Sequence, residues 1–201
     1  MHPRIYSEFD RVCEERRAGG AVLEIGAVPA GDTLLTLPAL ARSASRIGVS
    51  LDGPSRFGGF EILRANANRL DLFDDARFDT VLCNSVLEHD PFFWTTLAEI
   101  RRVARPGAVV VLGVPGFDAP PPSYRRLSRL LAGLPSLGRT GREEAEGLAA
   151  STPTLVVHRF PSDHYRFSRE AVEHVLLEGL DDREVATVLT PPRFVGSGIR
   201  C

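Results

Sequence analysis

The stretch FDTVLCNSVLEHDPFFWTTLAEIRRVARPGAVVVLGVP, residues 78–115, contains two apolar runs separated by a helical pattern. The run 108–115 is almost continuously apolar, the run 78–85 has Val81-Leu82-Cys83 at its centre, and residues 92–104 between them repeat apolar side chains with helical spacing. Strands that are apolar on both sides are typical of a parallel sheet covered by helices on both faces. The stretch therefore predicts a strand, a crossover helix and a second strand parallel to the first.

The same alternation continues on either side of this stretch. An amphipathic helix is predicted over 4–18. GDTLLTLPALARSA begins a further helix with Asp32 or Thr33 as its N-cap, which Pro38 should bend or shorten. The remaining predicted elements are strands at 21–26, 46–51, 60–66, 183–189 and 193–201 and a helix at 168–180. The chain is thus predicted to form a doubly wound, Rossmann-like α/β domain with a seven-stranded sheet, five parallel strands plus a terminal antiparallel pair.

Residues 116–160 interrupt the alternation, because they are rich in proline, glycine and charge and have no strand period. Within them, 123–134 places leucines on one face of a helix, and 135–150 is expected to be a flexible centre. We expect this segment to be a lid inserted into a single domain that spans 1–201. So short a helix needs its apolar face buried against the domain, a substrate or a second subunit, which leaves a homodimer open.

The composition excludes several classes of function. A formal net charge of −2 leaves no basic surface for nucleic acid. No apolar stretch is long enough to span a membrane and the chain does not start like a signal peptide, so a cytoplasmic protein without a membrane partner is predicted. The three cysteines form no CxxC pair, and no residues have metal-ligand spacing, so no metal site is predicted.

The turn VLEIGAVPAGDTLL, residues 22–35, begins like a nucleotide-binding loop. An apolar run meets Glu24 and Gly26, but Val28 and Pro29 stand where the next glycine is usual. Proline disfavours a positive φ in the residue before it, so the backbone must pass a ligand in a different way. An altered cofactor site, a site without a ligand and an ordinary strand–turn joint all remain open.

Three short motifs resemble those of one family. Phe78-Asp79 opens a strand, Val86-Leu87-Glu88-His89 ends it, and Glu99 through Gly107 leads into the next strand, with Ala108 replacing a second glycine. Together they resemble the class I S-adenosylmethionine-dependent methyltransferases, in the branch similar to the ubiquinone and menaquinone methyltransferases. The resemblance covers about 20–115 and 160–201.

The resemblance implies a set of cofactor-binding residues at the ends of the strands. Glu24 is expected to hold the methionine end, and an acid that accepts from both ribose hydroxyls is replaced by Ser50, with Asp52 two residues later. Asp52 could equally begin only the turn with Gly53-Pro54. The full set implied is Glu24, Gly26, Ala27, Ser50, Asp52, Asn66 and Ala67 at the adenine, and Asn84 and Ser85 beside the sulfonium.

Methyl transfer from a sulfonium needs an acceptor held in line and, for some acceptors, a base. His89 is the candidate catalytic base, although it could instead cap the loop before the next helix. Phe117 and Tyr124 in the insertion and His164 and Tyr165 in HYRFS are the candidate substrate contacts, and a structural role for the last two is the alternative.

The resemblance implies methyl transfer from S-adenosylmethionine to a small molecule such as a secondary metabolite, with S-adenosylhomocysteine as the product. The altered turn keeps two alternatives open: a cofactor-free pseudo-methyltransferase acting as a partner subunit, and an enzyme that uses the same cofactor for other chemistry. A nicotinamide dehydrogenase is disfavoured because GAVPAG lacks the GxGxxG pattern.

Overall fold

The computed structural model describes residues 1–118, 122–133, 139–152, 154–156 and 162–201. Within these ranges the chain forms one eight-stranded sheet with helices on both faces. The strands are β1 Ala21–Ile25, β2 Ser45–Ser50, β3 Ser55–Phe57, β4 Phe60–Arg64, β5 Phe78–Asn84, β6 Ala104–Pro115, β7 Leu180–Thr187 and β8 Arg193–Arg200. The helices are α1 Pro3–Glu15, α2 Phe93–Val103, α3 Pro122–Ala132, α4 Arg139–Ala150 and α5 Arg169–Ala171, which continues as a π-helical turn over Val172–Leu176.

The strand order is β3-β4-β2-β1-β5-β6-β8-β7. Strands β4, β2, β1, β5 and β6 pair in parallel, while β8 is antiparallel to both β6 and β7. The predicted fold is therefore confirmed, with one strand more than predicted. The additional strand β3 lies in the loop that follows β2 and pairs antiparallel with β4 across Gly58-Gly59, both at positive φ.

Successive residues of the central strands face opposite layers of the core, as the period of a strand requires. In β1, Val22 packs on the side of α1, and Leu23 packs on the side of α2. Helix α1 buries Phe9 in the first layer, and α2 buries Ile100 in the second. This two-sided burial agrees with the apolar runs from which a covered parallel sheet was predicted. No helix in the described part of the chain is long and apolar enough to cross a membrane.

The helix predicted to begin near Asp32 does not form. The chain makes two 3₁₀ turns there, Leu34–Thr36 and Pro38–Leu40. Pro38 has no N–H to continue a helix, and it disfavours helical backbone in the residue before it. Leu37 accordingly adopts ψ 129°, an extended conformation.

The insertion also differs from its prediction, because residues 139–150, expected to be a flexible centre, form helix α4. Helix α3 pairs with α4 as a hairpin. Leu127, Leu130 and Leu131 on α3 are 57%, 70% and 40% exposed, so the described part of the chain does not bury this face. Leu134 lies outside the described residues. Burial against a second copy, and closure as a lid, stay predictions.

The close contact between Gly48 of β2 and the turn after β1 can be tested by substitution. A methyl group added at Gly48 would overlap the Cβ of Ala27 and lie 3.2 Å from Cγ1 of Ile62. We expect Gly48→Ala to lower the free energy of unfolding by about 1–3 kcal/mol, as overpacking does, in urea titrations. Gly31→Ala is the matched control, since nothing lies within 4 Å of its added methyl group. Equal stability of the two variants would contradict the packing described.

Candidate active site

The carboxyl ends of β1, β2, β4, β5 and β6 lie at one edge of the sheet, because these strands run in parallel. Ligands of doubly wound sheets bind at this edge. The predicted cofactor residues all lie in or directly after these strands. Strand β8 runs the other way, so its first residue, Arg193, reaches the same edge beside Pro115 of β6.

Glu24 in β1 is 3% exposed, and its carboxylate binds the loop that follows. One oxygen accepts from the N–H of Leu34 at 3.1 Å, and the other accepts from the N–H of Leu35 at 3.1 Å and from the hydroxyl of Thr33. Burial raises the pKa of Glu24 to about 6, although these hydrogen bonds oppose the rise. Both oxygens already have protein partners, and contact with the methionine end of a cofactor stays a prediction.

The backbone of the turn after β1 shows why position 28 does not need a glycine. Gly26 has φ +80°, and its N–H and that of Ala27 both donate to the carbonyl of Val49, at 2.9 and 3.0 Å. A side chain at Gly26 would overlap Val86. Val28 is not among the residues at positive φ, so no glycine is required at its position. The turn is thus closed by β2, and those two N–H groups are already paired.

The residues predicted to contact ribose and adenine lie on the neighbouring loops. Asp52 is exposed just after β2, and its N–H donates to the hydroxyl of Ser50 at 3.4 Å. Asn66 is exposed after β4, where its Oδ1 accepts from the N–H of Asn68 at 3.0 Å. Ala67 is half-buried against the core. The structure therefore brings these residues to one edge, and their cofactor contacts stay predictions.

The end of β5 holds a buried polar atom without a partner. Oδ1 of Asn84 accepts no hydrogen bond and lies close to Gly113 and to the ring of Phe9. The next residue, Ser85, has φ +56°, an uncommon conformation for a residue other than glycine. Such outliers occur where a site constrains the backbone. The two residues predicted beside the sulfonium are thus adjacent to the strand end that a ligand would meet.

The candidate base and two candidate substrate residues come together at the end of β5. The N–H groups of His164 and Tyr165 donate to the carbonyl of Glu88 at 2.8 and 3.2 Å, next to His89. Nδ1 of His89 contacts the carbonyl oxygen of Ser162. Since a carbonyl oxygen only accepts, this contact suits the tautomer with its hydrogen on Nδ1. This is the tautomer that a base acting through Nε2 requires.

The other two candidate substrate residues belong to the insertion. Phe117 is 37% exposed, and its N–H donates to the carbonyl of Phe167 at 3.1 Å, beside the segment that carries Tyr165. The hydroxyl of Tyr165 donates to the carbonyl of Pro91 at 3.0 Å. Tyr124 lies on α3, and its side chain is outside the described residues. Phe117 therefore lies beside the segment that carries His164 and Tyr165. Substrate contact by Phe117 or Tyr124 stays a prediction.

Sequence reasoning missed two charged groups at this edge, Glu88 and Arg193. Glu88 is fully buried, and no described residue donates a hydrogen bond to its carboxylate. Its Oε1 lies 3.7 Å from Nη2 of Arg193, which donates to the hydroxyl of Ser85 at 2.6 Å. Burial raises the pKa of Glu88 against the effect of Arg193, and burial lowers the pKa of Arg193 against the effect of Glu88. The last strand was predicted to be antiparallel, so its first residue, Arg193, could have been expected at the edge where the parallel strands end.

The sequence has relatives in a known family. A profile of the methyltransferase domain matches residues 37–112. An uncharacterized methyltransferase of Mycobacterium ulcerans (strain Agy99) is 31% identical in an alignment 180 positions long, which covers 76% of this chain and 69% of the relative. The chain belongs to the methyltransferase family. The family predicted from the sequence motifs is confirmed.

The fold of this methyltransferase is also that of solved methyltransferases. The 1,6-didemethyltoxoflavin-N1-methyltransferase of Burkholderia thailandensis superposes with a TM-score of 0.63 at 19% identity, covering 97% of this chain and 77% of that one. A SAM-dependent methyltransferase from Archaeoglobus fulgidus gives 0.63 at 14% identity, covering 98% and 93%. The predicted class I methyltransferase fold is thus confirmed.

The side chains at the edge fit S-adenosylmethionine, the cofactor of this fold class. The carboxylate of Asp52 is suited to the two ribose hydroxyls, and the amide of Asn66 to the adenine amino group. Asn84 follows Cys83, which pairs with Ile25, so the end of β5 that carries Asn84 lies beside the turn of Gly26. The cofactor lacks a pyrophosphate, so the site does not need the free N–H groups that a dinucleotide loop presents.

The titration of Glu24 in this methyltransferase gives a pH-dependent prediction. Its pKa is about 6 in the fold against 4.5 without burial, so the folded state binds the proton more tightly. The resulting stabilisation is complete below pH 4.5 and is lost as the pH rises through 6, a change of about 2 kcal/mol. We expect the unfolding free energy of the wild type to fall by this amount relative to Glu24→Gln, measured in urea at each pH. If the difference in unfolding free energy between the wild type and Glu24→Gln does not change with pH, the Glu24 carboxyl has an ordinary pKa in the folded protein.

Proposed function

We propose that this methyltransferase transfers the methyl group of S-adenosylmethionine to a small molecule at the carboxyl edge of its sheet. One observation carries the proposal: buried polar atoms without partners collect at this edge. Of the four such side-chain atoms in the described residues, three belong to Asn84 and Glu88 at the end of β5. An unpaired buried polar atom costs about 1–3 kcal/mol, so a ligand that pairs with such atoms offsets this cost.

The cofactor would lie across the ends of β1, β2, β4 and β5. Asp52 would accept hydrogen bonds from the ribose, Asn66 and the N–H of Ala67 would contact the adenine, and Asn84 would face the reacting end. Bound there, the cofactor supplies a methyl group already activated by the sulfonium. Glu24 would contribute indirectly, by holding the loop 33–35 against the strand end.

The acceptor would lie on the other side of the strand end, between β5 and the segment 162–167. His89 is the proposed base there, because it directly follows Glu88, whose carbonyl binds the N–H groups of His164 and Tyr165, and an imidazole can take a proton from the acceptor. A small molecule is supported by the Burkholderia neighbour, which is named for methyl transfer to 1,6-didemethyltoxoflavin and has this compound bound. The likeness to quinone methyltransferases stays a prediction.

A cofactor-free partner subunit is the competing proposal, favoured by the paired N–H groups of Gly26 and Ala27. Calorimetric titration with S-adenosylhomocysteine separates the two, because only an S-adenosylmethionine-dependent enzyme should bind this product. Titration with NADH in parallel tests the dinucleotide alternative. Binding of S-adenosylhomocysteine without binding of NADH supports an S-adenosylmethionine site, which the transfer assay below then tests for methyl transfer. The absence of S-adenosylhomocysteine binding contradicts the proposed function.

The role of Asp52 is tested by its alanine variant. Removing the carboxylate should weaken the binding of S-adenosylhomocysteine by about 1–3 kcal/mol, because the ribose hydroxyls lose their acceptor. Asp74→Ala is the matched control, since Asp74 is exposed in the loop before β5, at the opposite edge of the sheet. If Asp52→Ala keeps the wild-type affinity in calorimetry, Asp52 only begins its turn.

The role of His89 is tested by the rate of transfer from labelled S-adenosylmethionine to an acceptor found by screening small molecules. His89→Ala should slow transfer by about 10²–10⁴-fold, the contribution of a general base, with the affinity for S-adenosylhomocysteine unchanged. His174→Ala, which removes an exposed histidine of the π-helical turn, should transfer at the wild-type rate. A wild-type rate in His89→Ala would leave this residue as a loop cap.

A further inference from the structure

The Glu88–Arg193 pair is a buried ion pair with most of its hydrogen bonds unmade. Glu88 is 0% exposed and Arg193 13% exposed, and their closest atoms are 3.7 Å apart. Neither carboxylate oxygen of Glu88 accepts a hydrogen bond. A guanidinium has five N–H groups, and the hydroxyl of Ser85 is the one hydrogen-bond acceptor of Arg193 in the described part of the chain. Buried charges are normally paired and hydrogen-bonded, so this pair is incomplete as it stands.

Arg193 begins its strand on the side of the site that is proposed for the acceptor. The residue begins β8 beside Pro115, at the edge where the parallel strands end. Ser85, at the end of β5, fixes one amino group of the guanidinium at 2.6 Å. The small exposed fraction of Arg193 means that its side chain can be reached from outside the core.

The charges around the pair are balanced. Glu88 faces Arg193, and Arg166, the next cation, forms its own ion pair with Asp163. His89 is the other titratable group whose charge acts on Glu88. A carboxylate ligand entering beside Arg193 would meet the buried Glu88 carboxylate, and like charges in a low dielectric repel strongly. A neutral carbonyl oxygen could accept from Arg193 without that repulsion.

We propose that Arg193 binds the methyl acceptor through a neutral carbonyl oxygen, and that Glu88 is the positioning residue that selects neutral carbonyl compounds over carboxylates. The inference rests on the proposed function, because it assigns the acceptor side of the same site. The acceptor class is then an amide, lactam or ketone. Glu88 favours this class because its carboxylate already balances the charge of the Arg193 guanidinium before the acceptor binds.

Benzamide and benzoate test this selection, since they have nearly the same shape and differ in charge. Their binding is measured by calorimetry to the full chain saturated with S-adenosylhomocysteine. Benzamide should bind the wild type at least about tenfold more tightly than benzoate. Arg193→Gln should weaken benzamide by about tenfold or more, the ratio expected for one lost charge-assisted hydrogen bond.

Glu88→Gln supplies the sharpest comparison, because it keeps the shape of the side chain and removes its charge. The variant should reverse the preference and bind benzoate more tightly than benzamide, which a merely structural role would not produce. Glu15→Gln is the matched control: it neutralises one partner of the exposed ion pair with Arg11 on α1 and should keep the wild-type preference.

The wild type alone can overturn the proposal, whether or not Glu88→Gln folds. Benzoate bound as tightly as benzamide, or no binding of benzamide to the complex with S-adenosylhomocysteine, would contradict it, as would an unchanged preference in Glu88→Gln. The proposed function fails separately, because that failure appears as a lack of S-adenosylhomocysteine binding in the first titration.

Discussion

The parallel pairing of five strands is the constraint on which the site depends. It forces the carboxyl ends of β1, β2, β4, β5 and β6 to one edge, and every residue assigned to the cofactor lies there. Strand β8 is antiparallel to β6, so its first residue rather than its last lies at that edge. Arg193 reaches Ser85 for this reason, although the two residues are far apart in the chain.

Most of the fold could be predicted because apolar runs and helical spacing are local signals. The parallel strands and the terminal antiparallel pair follow from such runs. Strand β3 could not be predicted, because SRF has too few apolar residues to be distinguished from a loop, and its pairing depends on β4. The missing helix after β1 was only partly predictable. Pro38 indicated a break, but the three hydrogen bonds to Glu24 that hold 33–35 in place required the structure.

The candidate site was likewise only partly predictable from the sequence. The order of the motifs predicted which residues follow each parallel strand, and the structure brings His89, His164 and Tyr165 together through the carbonyl of Glu88. The partners of each side chain could not be predicted, because they depend on burial. Glu24 was predicted to contact a ligand and is found with three protein donors, whereas the carboxylate of Glu88 has none. Two carboxylates in similar sequence settings, each at or just beyond a strand end, therefore have opposite roles.

Ser85 shows how one strand end can serve two ligands. In a regular strand, consecutive side chains point to opposite faces of the sheet, and Asn84 continues this alternation on the side of Leu82 and Phe9. The positive φ of Ser85 ends the alternation and turns the backbone at the point where β5 stops. Asn84 can then face the cofactor while Ser85 holds Arg193 toward the acceptor. In the proposed site, adjacent residues would then serve the two reactants from a single strand end, and the short distance between neighbours in the chain would keep the two halves of the site in register.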